Sequence, residues 1–262
     1  MLGYIIYKKE DALNNKTYIN WYIDKFKKHD IELCLVYDTD INELPDFAII
    51  RTINPALVKM LEDKGVICFN NYNTSFMTND KLRTYKFMEK MGINTLKTYS
   101  NINEVNKYPV VIKPKDGHGG DRVFIANDNE DLAKKLVLYE EDNYLIQDVA
   151  SELGKDLRVY VIGNDIIVAI LRQSSSDFRS NFSLGGQGSV YKLNEYETSL
   201  VNKIIELFKF DFVGIDFIFH EGKIIFNEIE DVVGSKMVYT YTDIDIVELY
   251  VEYIVKKLSN LK

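Results

Sequence analysis

Cysteine is scarce: Cys34 and Cys68 are the only two in 262 residues. Both lie in apolar runs, which argues against a disulfide framework or thiolate metal site and leaves two small buried hydrophobes. Histidine is as sparse, and His29, His118 and His220 are too scattered to suggest a zinc site. Positive charge is in deficit. With 32 Lys and Arg against 40 Asp and Glu, the net charge is −8 and the pI about 5.1. That suits neither nucleic acid nor an anionic bilayer, so neither partner is expected, and a small anion needs a locally basic pocket. Long apolar runs are missing too. Nothing approaches the roughly 20 residues of a membrane span, and MLGYIIYKKEDALNNK has too short an apolar run, with its charges on the wrong side, for a secretory signal. The expectation is a soluble cytoplasmic protein. There is no internal repeat, no Gly-Lys-Ser/Thr phosphate loop and no Gly-rich dinucleotide turn.

What is present is enough apolar material, 46% of residues with 18 Tyr and 14 Phe, to build a core in one or two domains. Strands are expected over 2–7, 31–37, 46–51 and 66–69. A helix is expected over 17–28, and another opens at Asn54-Pro55, with Asn as cap and Pro at the first helical position, and closes at Gly65. That alternation predicts an open parallel α/β lobe over residues 1–75. Arg51 ends one of its strands, where ligands gather in such sheets; a bound anion and a surface arginine both fit. Asn71 to Thr78 reads as a polar boundary, followed by a helix from Thr78 to Met91 whose Lys81 and Arg83 read as solvated face.

YPVVIKPKDGHGGDRVFIAN, residues 108–127, sets two strands around Gly117, Gly119 and Gly120, with Lys113, Lys115 and Arg122 close by. Such a loop can bring backbone N–H groups to phosphate oxygens, or be a hairpin loop with incidental lysines. Strand 144–150 carries Gln147 and Asp148. A hairpin over 155–173 turns at Gly163-Asn164 and carries Asp156, Arg158 and Arg172; charges in strands this apolar need partners, and an internal ion pair is the plain reading. The Ser/Gly-rich stretch 174–190 holds Arg179 and Asn181, and a long segment of that kind is either functional or disordered. Helices close the chain over 194–208 and 243–258.

Between these two helices lies VGIDFIFHEGKIIFNEIED, residues 213–231, with Asp216 in one strand and Glu228 and Glu230 in the next. A two-residue loop at Glu221-Gly222 would set Asp216 opposite Asn227 and leave Glu228 on the other face; a three-residue turn over Glu221 to Lys223, the expected register, sets Asp216 opposite Glu228 and gathers three carboxylates on one side. Like charges that close repel unless a hard dication such as Mg²⁺ binds them. A solvent-facing edge hairpin also accommodates such carboxylates.

In order, the motifs VVIKPKDGHGGDRV, YLIQDVASELGKDLRVYVIG, RQSSSDFRSNFSLGGQG and VGIDFIF followed by FNEIE resemble the ATP-grasp superfamily. The nearest branch looks like the ribosomal-protein S6 glutamate ligase and the lysine-biosynthesis ligases. The resemblance covers Thr78 to the C-terminus. It implies an α/β (α+β) ATP-grasp fold, in which the parallel α/β lobe precedes an ATP-grasp domain over 76–262. Its two α+β lobes, a small one with the glycine loop (76–148) and a large one with the metal hairpin (149–262), clasp ATP. It implies an ATP-dependent ligase joining a carboxylate to an amine through an acylphosphate, on a small acid, amino acid or peptide. A kinase acting on a hydroxyl and a silent ATP-binding module are the alternatives. By resemblance Lys113 contacts phosphates under the Gly117–Gly120 loop, Gln147, Asp148 and Val149 line the adenine, and Asp156 holds the nucleoside. Lys115 and Arg172 fall with the nucleotide-binding residues. Arg179 and Asn181 approach the transferred phosphoryl group, Arg158 joins them as a catalytic residue, and Asp216, Glu228 and Glu230 hold Mg²⁺, two ions or Mn²⁺ in their place. One departure stands out: the ligase pattern has Glu-x-Asn where this chain has Glu228-Ile229-Glu230. The extra negative charge is expected to keep Mg²⁺ binding. Homo-oligomerisation is left open.

Overall fold

The computed structural model describes residues 1–117, 120, 122–140, 142–174 and 187–260. The chain begins with β1 (Leu2–Tyr7), α1 (Lys9–Asn14), α2 (Lys16–Lys27), β2 (Glu32–Tyr37), β3 (Phe47–Ile50), α3 (Pro55–Asp63) and β4 (Ile67–Phe69). The four strands form one parallel sheet in the order β2-β1-β3-β4. Asn54 caps α3 as its composition demands, its Oδ1 accepting from the Leu57 N–H at 3.0 Å.

Next come α4 (Tyr72–Thr78), α5 (Lys81–Lys90), β5 (Thr98–Tyr99), β6 (Val110–Lys113), β7 (Phe124–Ala126), α6 (Asn129–Leu136) and β8 (Leu145–Asp148). The expected polar boundary is therefore a helix, capped by Asn71. The following helix starts later than expected, because Asp80 and not Thr78 accepts from its free N–H groups. The strands form an antiparallel sheet, β5-β8-β6-β7.

The last part contains β9 (Glu152–Ile162), β10 (Asp165–Gln173), β11 (Gln187–Tyr191), α7 (Glu195–Glu206), β12 (Phe212–His220), β13 (Lys223–Glu230), α8 (Lys236–Tyr241) and α9 (Ile246–Ser259). Its antiparallel sheet runs β11-β10-β9-β12-β13. One face buries Val159, Val161, Ile215 and Phe217 against Val201, Ile204 and Ile205 of α7 and Tyr85 and Met88 of α5. The other buries Tyr160, Ile162, Ile170 and Phe212 together with Val247 and Val251 of α9 and Tyr22 and Phe26 of α2. Each such apolar side chain is worth roughly 1.5–3 kcal/mol on burial. The second face thus fuses the N-terminal sheet's helix to the last sheet, and the charged residues fall beyond that core on the same face. Among the described residues no helix is long and apolar enough to cross a membrane.

Candidate active site

Hairpin β12–β13 pairs His220 with Lys223, so its loop is the two residues Glu221-Gly222. Their φ values, 52° and 74°, are those of a two-residue turn with both centres left-handed. This corrects the expected three-residue turn. On its own that turn sets Asp216 opposite Asn227, but the ladder bulges. Phe217 pairs with Phe226 and Asp216 with Glu228, leaving Asn227 as the extra residue. The bulge, not the turn, puts the acids on one side. One oxygen from each of Asp216, Glu228 and Glu230 lies within 4.8 Å of the others.

Two arginines back this trio. Arg158 stands opposite Asp216 in the β9–β12 ladder. Its Nε and Nη2 donate to Oδ1 and Oδ2 of Asp216 at 2.7 and 2.6 Å, and Nη2 also donates to Glu230. Arg172 donates to Asp156 and, at 2.7 Å, to Asp216 Oδ2. Gly214 makes room: a Cβ there would sit 2.7 Å from Val233 and 3.3 Å from the Arg158 side chain. Burial alone would raise the Asp216 carboxyl, but Arg158 and Arg172 outweigh it and hold the group well down, at about 2. Burial also works on Glu228, where Lys81 reverses it and the pKa falls. For Glu230 burial wins and its pKa is raised despite Arg158.

Helix α5 and strand β6 each bring a lysine. Lys81, in the first turn of α5, reaches Glu228 at 3.1 Å and the carbonyl of Gly117. Lys113 ends β6, donating to Tyr85 Oη at 2.7 Å and to Asn227 Oδ1 at 3.3 Å. Burial is the main cause that brings its pKa down to about 7; Glu228 opposes the fall and Lys81 adds to it. A cavity runs between these groups. Lys81, Lys113, Gly117, Gly120, Asp156 and Glu228 line its polar end, and Leu96, Val111, Pro114, Leu153 and Ile218 its apolar end beside Gln147 and Asp148. A slot with an apolar floor and convergent cations suits a flat base carrying phosphates.

Residues 78–254 match the model of the RimK-like ATP-grasp domain. The chain belongs to the RimK-like ATP-grasp family. It is 26% identical to the uncharacterized protein MG011 of Mycoplasma genitalium, over 96% of this chain and 91% of that one. It is 28% identical to a probable alpha-L-glutamate ligase of Maridesulfovibrio salexigens, over 77% and 71%. In fold it is similar to the D-alanine–D-alanine ligase of Bacillus anthracis complexed with ATP, with a TM-score of 0.74 at 17% identity, covering 98% and 96%.

For a RimK-like ATP-grasp domain the site residues fall into five groups, of which Asp216 and Glu230, clustered with Glu228 but outside the cavity lining, form one. Lys113, Gly117, Gly120, Gln147, Asp148, Asp156 and Glu228 line the cavity. Asp148 is already tied to Tyr99 Oη at 2.8 Å and Lys107 at 2.7 Å. Arg158 and Arg172, expected at catalysis and at the nucleotide, are buried and ion-paired with Asp216, Glu230 and Asp156. Lys115 and Val149 stand outside the cavity, where Ala150 and Leu153 form the wall that Val149 was expected to supply. Gly119, Arg179 and Asn181 lie outside the described residues. The sequence reading missed Lys81 and Tyr85. The signal for Lys81 was a cation in a helix's first turn, where the dipole disfavours it.

The donor set fits a hard dication: three carboxylates and no nitrogen or sulfur. Each carboxylate oxygen offers two lone pairs, so the bonds from Arg158 and Arg172 fill Asp216 Oδ2 but leave Oδ1 one lone pair for a cation. Arg158 also offsets the charge that Glu230 adds where the ligase pattern has Asn.

Proposed function

We propose that the chain is an ATP-dependent carboxylate–amine ligase. The observation that carries this reading is the convergence of Lys81, Lys113 and Glu228 on one partly apolar cavity, with Asp216 and Glu230 clustered behind Glu228. The family and the ligase names among its relatives support it.

In this reading the adenine lies between Leu96, Val111, Leu153 and Ile218, with Gln147 and Asp148 at its edge. Lys81 and Lys113 hold phosphate oxygens, Gly117 to Gly120 cover them, and Asp156 serves the nucleoside. Asp216, Glu228 and Glu230 hold Mg²⁺, one ion or two, with Mn²⁺ as a substitute. When bound, Mg²⁺ would neutralise negative charge on the phosphates. Arg158 and Arg172 keep Asp216 ionised and aligned, and Arg179 and Asn181 are assigned to the transferred phosphoryl group.

A carboxylate oxygen attacks the γ-phosphorus, and the bond to the β-bridging oxygen breaks, giving ADP and an acylphosphate. The amine nitrogen then attacks the acyl carbon. The C–O bond to phosphate breaks with its electron pair on phosphate, and the nitrogen loses a proton to solvent. Positioning and preset charge do most of this work, with no enzyme nucleophile.

Release of phosphate and ADP that needs both a carboxylate and an amine, with an amide in the product, is the expected result. A phosphorylated hydroxyl with no amide would select a kinase, and binding of MgATP without turnover a silent module.

A further inference from the structure

Asn227 and Glu228 are neighbours in β13, yet both line the cavity. In a regular strand successive side chains point to opposite faces, and the bulge at Asn227 removes that alternation. The strand thus turns a neutral amide toward the cavity beside the acid. On α5, Tyr85 stands one helical turn after Lys81, on the same face. It is 1% exposed, and its ring packs edge-on against Phe226, with centroids 6.3 Å apart. The ligase reading gives neither Tyr85 nor Asn227 a task.

The two meet at Lys113. Its ammonium donates to Tyr85 Oη at 2.7 Å and to Asn227 Oδ1 at 3.3 Å, and the Tyr85 hydroxyl donates to the same Asn227 oxygen at 3.5 Å. These groups close a triangle drawn from α5, β6 and β13. Both acceptors are uncharged: burial above all pushes the Tyr85 hydroxyl well above its ordinary value, so it keeps its proton. That sets Lys113 apart from the other cations of the site. Arg158, Arg172 and Lys81 each hold a carboxylate. Among the described residues no carboxylate lies within ion-pair distance of Lys113. An ammonium has three N–H donors. Two are taken here, and among the described residues the third meets no acceptor.

We propose that Tyr85 and Asn227 are positioning residues: they clamp the Lys113 ammonium between neutral oxygens, so that its place is fixed, its charge is unspent and its third N–H is left for a phosphate oxygen. The inference rests on the reading of this cavity as the nucleotide site. A lysine is a point charge on a flexible stem, and phosphoryl transfer depends on where such charges stand. A carboxylate in place of either acceptor would fix the amine as well but cancel the charge that a phosphate needs. A hydroxyl and an amide carbonyl do the first without the second.

The test is calorimetry of the full chain with the non-hydrolysable analogue adenosine 5′-(β,γ-imido)triphosphate and Mg²⁺. Tyr85→Phe keeps the ring on Phe226 and removes only the hydroxyl. Asn227→Ala removes the other acceptor from a half-buried position. Each is made in the parent and in Lys113→Met. In the parent each is expected to weaken the analogue about five-fold or more, and in Lys113→Met by less than about two-fold, because the amine they hold is gone. A role in the fold or the cavity wall would cost the same in both backgrounds, and that result overturns the inference, as does full affinity in both single variants. Asn227→Ala carries the measurement if Tyr85→Phe does not fold. If Lys113→Met weakens the analogue and neither variant couples to it, the nucleotide reading stands and the clamp falls. If the parent binds no analogue, the nucleotide reading fails and takes the inference with it.

Discussion

Lys113 has a charge to keep and almost no water to keep it in. Its pKa falls to about 7 from an ordinary 10.5, chiefly through burial. Between these two values the folded chain binds fewer protons here than the unfolded one. This group's contribution to stability therefore rises with pH across that window and is least favourable below it. A triphosphate beside the amine reverses the balance. Nucleotide binding at about pH 8.5 is expected to draw in close to one proton, and almost none at about pH 6. Calorimetry in buffers of different ionisation enthalpy measures this, and Lys113→Met should abolish the uptake. An unchanged uptake in that variant would remove Lys113 from the site. Arg158 makes the opposite case, a cation that is fully spent. Arg158→Met leaves buried Asp216 with Arg172 alone and takes the counter-charge from partly buried Glu230, and a loss of about 3 kcal/mol of stability is expected from a denaturant titration. A change below ~1 kcal/mol would mean that water reaches those carboxylates freely.

At the level of elements, hairpin β12–β13 shows what local sequence reveals and what it conceals. The strands were legible because Val, Ile and Phe bracket a Gly-containing turn, and so were the acids, because carboxylates are out of place there. The turn itself was not. Glu221 has a positive φ that few side chains tolerate, and the adjacent Gly222 fits a two-residue and a three-residue turn alike. The bulge at Asn227 was hidden as well: it comes from matching β13 to β12 across the turn, a pairing no short window contains. The ion pairs follow the same rule. Arg158 and Asp216 are 58 residues apart, and only the β9–β12 register joins them. Lys81 needs a contact between α5 and β13, 147 residues apart in sequence, to reach Glu228. Helix caps at Asn54 and Asn194, by contrast, are local and could be read directly. The turn yields a test of its own. Glu221→Asn places a residue that accepts the left-handed region at that position and should add about 1 kcal/mol, raising the melting temperature by roughly 2–4 °C. A lower melting temperature would mean that Glu221 makes contacts worth more than the strain it carries.

Across the whole molecule, one helix turn and one hairpin close the cavity between two sheets. Lys81 bridges them, holding Glu228 on the large sheet and the Gly117 carbonyl at the mouth of the glycine loop. In the proposed reading, nucleotide with Mg²⁺ would compete for both ends of that bridge and offer more charge in return. Binding should stabilise the folded chain by mass action, by about 2.7 kcal/mol at a hundred-fold excess over Kd. A non-hydrolysable ATP analogue with Mg²⁺ is thus expected to raise the melting temperature in proportion to the logarithm of its concentration. Chelating the metal should remove most of that rise. Glu228→Gln keeps the side chain's size and its hydrogen bonding to Lys81 but withdraws one metal ligand. It is expected to melt within about 1 kcal/mol of the parent without ligand, to lose the Mg²⁺-dependent part of the rise, and to lower turnover by roughly two orders of magnitude or more. An equal Mg²⁺-dependent rise in parent and variant would place the cation away from Glu228, and with it the assignment of Asp216 and Glu230 would fall.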